Sequence, residues 1–320
     1  MHVYSTPLTT RFRGLDVREG VLVEGAAGWA EFSPFWEYGD AEAAAWWSAT
    51  VEAAEIGWPT PVRMHVPVNV TVPATGPEEA HAIVRASGGC RTAKVKVGER
   101  GQSVGEEIAR LEAVRDALGP TGHVRIDANG AWDADTAVAR LTRLDRAAGG
   151  LEYVEQPCPD VAGLAAVRRR TDVLVAADES IRRADDPHAV VRAAAADIVI
   201  LKVQPLGGVR ACLRLAEEIG LPVVVSSALE TSVGLAAGLA LAAALPVLPY
   251  ACGLATAQLL VHDVVPDPLL PVDGMLEVRR PVPDAAALER TDARRTAPER
   301  AQAWRERVDR VRALSEGRPS

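Results

Sequence analysis

Three acidic residues give the first chemical signal in this chain, because each ends a short apolar run: Asp127 after 124–126, Glu155 after 151–154 and Asp178 after 173–177. A lone acid at a strand end is ordinarily part of a turn, and Asp127-Ala-Asn129-Gly130 has turn-forming residues of its own. Repetition changes that reading. The acids lie 28 and 23 residues apart, and the stretches between them, 136–147 and 161–170, have helical composition. Acids closing successive parallel strands would converge as hard oxygen ligands. Such a set suits Mg2+, with Mn2+ as a substitute, and leaves positions open for a substrate carboxylate.

Lys94 and Lys96 are two apart in an apolar run at 93–97, so both face the same side of a strand. A solvated pair on an edge strand is the plain alternative. If the pair is desolvated instead, each charge disfavours protonation of the other, and a neutral lysine is a strong base. Lys202 lies in the run 198–203 among apolar neighbours, where a merely solvated lysine is out of place. Lysines before and after three metal-binding acids in strand order would stand on opposite sides of the site. That layout can remove a proton α to a carboxylate, with the metal stabilising the enediolate and a lysine taking the proton.

These residues need a repeating scaffold, and the chain has one. Strand-like runs fall at 68–72, 93–97, 124–127, 151–155, 173–177, 198–203, 222–226 and, less plainly, 246–251, with helical stretches such as 104–117, 187–196 and 208–218 between them. The alternation predicts parallel strands with right-handed crossovers, and eight of them predict an α/β fold closed into a (β/α)8 barrel. Functional residues of such a barrel sit at the C-terminal strand ends, where the acids and lysines fall. A doubly wound sheet competes, but no G-x-G-x-x-G follows the first strand.

The first sixty residues lack this rhythm. Short strands at 11–13, 20–24 and 28–32, then a helix at 40–54 with Asp40 as N-cap, predict a small α+β domain over 1–61. The barrel is expected over 62–265. Residues 266–320 are expected to return to the first domain through a strand at 274–280 and to end in a charged outer helix at 298–314. Five of the seven tryptophans (Trp29, Trp36, Trp46, Trp47, Trp58) lie in the first domain, as bulky filling for a small core or as an aromatic lid.

With 320 residues, 48% of them hydrophobic, the chain can bury a large core. A formal charge of −8 without a long basic block speaks against a nucleic-acid partner. The four cysteines (Cys90, Cys158, Cys212, Cys252) occur singly, as expected of reduced thiols in a cytoplasm. The longest apolar run, 233–245, is too short to span a bilayer, and no apolar signal segment opens the sequence, so no membrane partner is expected.

Taken together, Lys94-Val-Lys96, Asp127-Ala-Asn129, Glu155-Gln-Pro157, Asp178-Glu-Ser180 and Lys202-Val-Gln-Pro-Leu-Gly-Gly208 resemble the motifs of the enolase superfamily. Members of that family pair a lysine or histidine base with Mg2+ that stabilises an enediolate. Lysines on the second and sixth strands are similar to its muconate lactonising branch. The stretches Phe12-Arg-Gly14, Gly28 to Pro34, Ala93 to Gly98 and Ser226 to Thr231 look like those of a dehydratase group within it. The resemblance implies a (β/α)8 barrel with a smaller α+β capping domain. It also implies Asp127, Glu155 and Asp178 as metal ligands, and a small-molecule carboxylate substrate.

The reaction implied is a syn dehydration of a cyclohexadiene carboxylate in menaquinone synthesis. Lys96 would be the base and then the acid, Lys202 an electrostatic partner on the opposite face, and Lys94 a partner for the substrate carboxylate. Ser226, Ser227, Gly253 and Asn129 would bind substrate, and Arg11 or Arg13 could serve a lid. Racemisation of N-succinylamino acids uses the same lysines and ligands, and a Schiff-base aldolase would use Lys202 as nucleophile. The oligomeric state stays open.

Overall fold

The computed structural model describes residues 1–316 apart from residue 185. Three antiparallel strands open it: β1 (His2–Phe12), β2 (Leu15–Gly25) and β3 (Gly28–Phe32), paired in that order. β1 is far longer than the expected strand at 11–13. Its alternation is masked because Thr6 is buried while Pro7 and Thr9 face outward, so polarity does not report which face is inside. Helix α1 (Asp40–Val51) follows, with Gly39 rather than Asp40 at the N-cap. The Asp40 carboxylate is used elsewhere, accepting from Arg310 at 2.8 Å.

A short strand, β4 (His65–Pro67), precedes the barrel and stays outside its sheet. The barrel strands are β5 (Val70–Val72), β6 (Thr92–Lys96), β7 (His123–Asp127), β8 (Leu151–Glu155), β9 (Val175–Ala177), β10 (Ile198–Leu201) and β11 (Val223–Val225), seven strands in one parallel sheet in sequence order. The expected eighth strand at 246–251 is absent among the described residues. The seam closes instead just beyond it, where Cys252 bridges Val68 and Gly253 bridges Ser226. Backbone bonds from Asn69 to Cys252 and from Gly253 to Val225 join the two sheet edges. The proline-bracketed run 246–251 therefore approaches the closure without forming a strand of its own.

Helices cover the outside: α2 (Pro77–Arg85), α3 (Val104–Leu118), α4 (Ala134–Ala148), α5 (Val161–Arg168), the short α6 (Glu179–Arg182) and α7 (Ala189–Arg192), α8 (Val209–Ile219) and α9 (Ser232–Ala244). α7 is much shorter than the stretch 187–196 predicts. Alternate strand residues such as Ala93, Val95, Val124 and Ile126 are fully buried in one apolar core that also takes in Leu111, Leu141 and Leu239 from the helices. Within the C-terminal segment, β12 (Met275–Glu277) pairs antiparallel with β4 and does not join the first sheet. It is followed by α10 (Ala285–Thr291), α11 (Ala293–Thr296) and α12 (Pro298–Glu316). α12 is not the outer helix its charge predicts: Trp304, Arg307, Val308 and Val311 are buried, and it packs along α1.

Most of the first domain's tryptophans are packing residues. Trp47 meets Phe32 edge-on at 5.6 Å and Trp36 packs at a tilt against Trp304 at 4.6 Å, while Trp58 lies under Arg280. The cap core also includes Ala228, Leu229, Leu259 and Leu260 from the barrel side, so one apolar cluster spans both parts.

A second tie is electrostatic. α1 runs into a π-turn over Glu52–Ile56, and Glu52 accepts from the backbone N–H groups of Val209 (2.5 Å) and Arg210 (3.1 Å). A carboxylate of the cap thus fills the N-terminus of α8, where unpaired donors and the helix dipole favour an anion. This contact explains the second glycine of Gly207-Gly208. At Gly208, with φ of 124°, an added Cβ would lie 2.3 Å from a Glu52 oxygen. Glu52→Gln keeps the shape and removes the charge. It is expected to destabilise the protein by about 1–3 kcal/mol, read as a lower urea midpoint with an unchanged slope. An unchanged midpoint would show that this tie is dispensable.

Candidate active site

Strand register assembles the site. Lys96 pairs with Asp127 across β6 and β7, and Asp127 pairs with Glu155 across β7 and β8, so base and acids stand side by side at one level. Asp178 is the first residue after β9 and Lys202 the first after β10. Because strand side chains alternate, Lys94 and Lys96 point into the barrel while Ala93 and Val95 pack outward. Five of these six charged groups, Lys96 excepted, are buried, and the Lys96 side chain retains 14% exposure.

Their charges are paired. Lys94 Nζ donates to both Glu155 oxygens at 3.0 and 3.2 Å and lies 3.4 Å from Asp127. Lys96 Nζ donates to Asp127 at 2.5 Å and to Asn129 Oδ1 at 2.8 Å. Lys202 Nζ donates to Asp178 at 2.6 Å, and Arg182 Nε reaches the other Asp178 oxygen at 2.8 Å.

Burial drives the Lys96 ammonium below its ordinary value; Asp127 opposes that shift and the Lys94 charge adds to it. Lys94 goes the other way. Burial works against its charge, but Glu155 and Asp127 outweigh it and hold Lys94 well above the usual lysine range. Burial likewise opposes ionisation of Asp127 and Asp178. The lysines beside the first, and Arg182 with Lys202 beside the second, nevertheless keep both far below the carboxylate range. Glu155 is pushed up to about 7 by burial and by Asp127.

Among the described residues, no three His, Cys, Asp or Glu side chains are already drawn together as a ligand set. Ammonium and guanidinium groups lie against each of the three carboxylates. The donor set still fits a hard divalent cation. Asp127, Glu155 and Asp178 supply oxygens from three adjacent strand ends, with Asp127 and Glu155 side by side in register. The local count is balanced: Asp127, Glu155, Asp178 and Glu179 face Lys94, Lys96, Lys202 and Arg182.

Ser226, Ser227, Gly253 and Asn129 line the same cavity as the three lysines. Gly253 belongs there for steric reasons, because a Cβ would lie 2.6 Å from Ser226 Oγ. Ser227 Oγ shares a hydrogen bond with Thr256 at 2.7 Å. Asn129 is engaged with Lys96 and, through Nδ2, with Glu179 at 3.2 Å. The two arginines of the β1–β2 hairpin separate: Arg13 lines the cavity and stacks over Phe35 at 4.3 Å, whereas Arg11 pairs with Asp16 on the surface.

Sequence reading missed Phe35, Tyr38 and Arg182, which also line the cavity, and it gave no specific role to Phe12 or Trp46. Phe12 covers Lys96 at 5.5 Å and so contributes to its desolvation. Gln156 was missed as well. Its amide accepts from the N–H groups of Asp178 and Ser180 and donates to Ser180, fixing the turn after β9 from the turn after β8. Both Asn129 (φ 46°) and Gln156 (φ 40°) take left-handed backbone just beyond an acid, an unfavourable conformation of the kind found where side chains must be aimed. The cavity itself measures about 40 Å³.

Comparison with known proteins shows the family and the fold. The family model described as enolase C-terminal domain-like matches residues 77–285, and enolase N-terminal domain-like matches residues 3–54. The o-succinylbenzoate synthase of Thermobifida fusca is 72% identical over 277 residues, covering 87% of this chain and 86% of that protein. Its counterpart in Mycobacterium marinum is 51% identical over 98% of this chain and 92% of that protein. Among solved structures, muconate lactonizing enzyme from Pseudomonas fluorescens superposes with a TM-score of 0.77 at 22% identity, over 91% of this chain and 97% of that one. The L-Ala-D/L-Glu epimerase from Bacillus subtilis does so with 0.74 at 23%, over 88% and 95%. These two show the fold. No described helix is long and apolar enough to cross a membrane. The chain belongs to the enolase superfamily and, within it, to the o-succinylbenzoate synthase family.

Proposed function

We propose that this chain is a lyase that dehydrates 2-succinyl-6-hydroxy-2,4-cyclohexadiene-1-carboxylate to o-succinylbenzoate, serving menaquinone synthesis in the cytoplasm. The observation that carries the reading is the pair of lysines, Lys96 on β6 and Lys202 after β10, that line one cavity beside three carboxylates. Domain bounds of 1–61 for the cap, 62–265 for the barrel and 266–320 for the returning segment go with it.

Asp127, Glu155 and Asp178 would hold Mg2+, for which Mn2+ can substitute. Bound there, the ion supplies charge stabilisation to the substrate carboxylate as negative charge builds on it. Lys94, held charged by Glu155 and Asp127, pairs with that carboxylate and disfavours a second ammonium at Lys96. Lys96 in its neutral form takes the proton α to the carboxylate. The resulting ammonium returns a proton to the hydroxide leaving from the same face, so the step releases one water and restores neutral Lys96. Lys202 remains charged against Asp178 and stabilises the delocalised anion from the opposite face. Ser226, Ser227, Gly253 and Asn129 orient the substrate, and the cap excludes water.

Purified protein with Mg2+ is expected to give a product lighter than the substrate by one water, identified by mass spectrometry against authentic o-succinylbenzoate. Borohydride is expected to trap no adduct on Lys202, because that lysine is committed to an ion pair. A trapped imine with a carbonyl substrate would support aldolase chemistry instead.

A further inference from the structure

Three nitrogens of one buried arginine join groups that the mechanism otherwise leaves separate. Arg182 keeps only 3% side-chain exposure. Its Nε donates to Asp178 at 2.8 Å, one terminal nitrogen to Glu179 at 2.5 Å and the other to the Tyr38 hydroxyl at 2.9 Å. Tyr38 belongs to the cap, where its ring packs against Phe35 at 5.6 Å and Trp46 at 6.2 Å, and its carbonyl accepts from Arg307 at 2.6 Å. Glu179 accepts from Asn129, whose carbonyl oxygen accepts from Lys96. The other Glu179 oxygen is buried without a hydrogen-bond partner, so the orientation of this arm depends on Arg182 and Asn129.

A continuous chain results. From Lys96 it runs through Asn129, Glu179, Arg182 and Asp178 to Lys202, and the cap hydrogen-bonds into it through the Tyr38 hydroxyl. We propose that Arg182 is a positioning residue that transmits closure of the cap, through Tyr38, to the orientation of Asp178 and of the Glu179–Asn129 arm beside Lys96. The inference rests on the dehydration reading above and adds a route by which covering the cavity completes it. A purely charge-balancing arginine would not need Tyr38. The hydroxyl carries no charge, and a buried phenol could as well be replaced by phenylalanine within its aromatic cluster.

The test uses the full-length protein and four variants: Tyr38→Phe, Arg182→Lys, Arg182→Met and the double variant Tyr38→Phe/Arg182→Met. Tyr38→Phe is expected to lower Tm by no more than about 4 °C while lowering kcat/KM at least about fivefold. Arg182→Met should lower kcat/KM by about 100-fold, with Arg182→Lys recovering part of the loss because it keeps the charge. The double variant should match Arg182→Met alone, since the hydroxyl then has no partner to inform.

Independently of turnover, calorimetry without substrate should show the Mg2+ Kd raised about 10-fold in Arg182→Lys, because the ligand Asp178 loses its aligned partner. Losses that multiply in the double variant, wild-type kinetics in Tyr38→Phe, or unchanged Mg2+ binding in Arg182→Lys would each overturn the proposal. A wild-type protein that binds Mg2+ but makes no o-succinylbenzoate would overturn the functional reading instead, and the Mg2+ titrations would still decide the role of Arg182.

Discussion

Lys96→Ala is expected to lose at least the factor of about 10²–10⁴ in kcat that a general base supplies, and more where the same residue also returns the proton. Arginine separates the two lysines, because it keeps a positive charge and cannot give up its proton. Lys96→Arg should therefore be as inactive as Lys96→Ala. Lys202→Arg should retain measurable dehydration, because Lys202 acts as a charge held against Asp178 at 2.6 Å and an arginine can keep that pair. The check is steady-state kinetics on each variant, with Tm measured alongside to exclude unfolding. Substantial turnover by Lys96→Arg would show that the proton is taken elsewhere.

Removing the metal should have an effect of comparable size. Chelation is expected to abolish turnover and added Mg2+ or Mn2+ to restore it, while circular dichroism stays unchanged because the barrel core is apolar and separate from the acids. Asp178→Asn should weaken Mg2+ binding more than Asn129→Ala. The first deletes a ligand charge and leaves Lys202 and Arg182 without their common partner, whereas the second removes only the acceptor that steadies Lys96. Full activity in excess chelator, with metal content verified as nil, would contradict the assignment of the three acids.

The barrel and its chemical centre were legible because two periodicities coincide. Strand alternation aims Lys94 and Lys96 inward, and the strand–helix repeat returns Asp127, Glu155, Asp178 and Lys202 to one rim. What stayed hidden lies outside both periods. Arg182 is one helical turn beyond Asp178, a spacing that brings it back onto that carboxylate, but nothing local marks the turn as helical beyond its four residues. Tyr38 and Phe35 reach the cavity from a loop held by Arg307, some 270 residues away in sequence, and no local pattern encodes such a contact. Closure at Cys252 and Gly253 was misplaced because two isolated bridges have no periodicity to read. The burial of α12 was hidden by its charge, since Arg307 lies inside while donating to three backbone carbonyls.

Two facing lysines would also serve a racemase, which needs a base on each side of the α carbon, whereas the dehydration needs only Lys96 as base. The decisive measurement is therefore the ratio of kcat/KM values for one Mg2+-loaded preparation, with o-succinylbenzoate formation set against racemisation of N-succinylamino acids followed by solvent deuterium uptake into each enantiomer. The account predicts that dehydration is the faster reaction. It also predicts that Lys202→Arg blocks racemisation in both directions while sparing part of the dehydration, with any remaining deuterium uptake confined to the enantiomer whose α proton faces Lys96. Racemisation that greatly outpaces dehydration, or dehydration and racemisation lost in equal measure in Lys202→Arg, would contradict it.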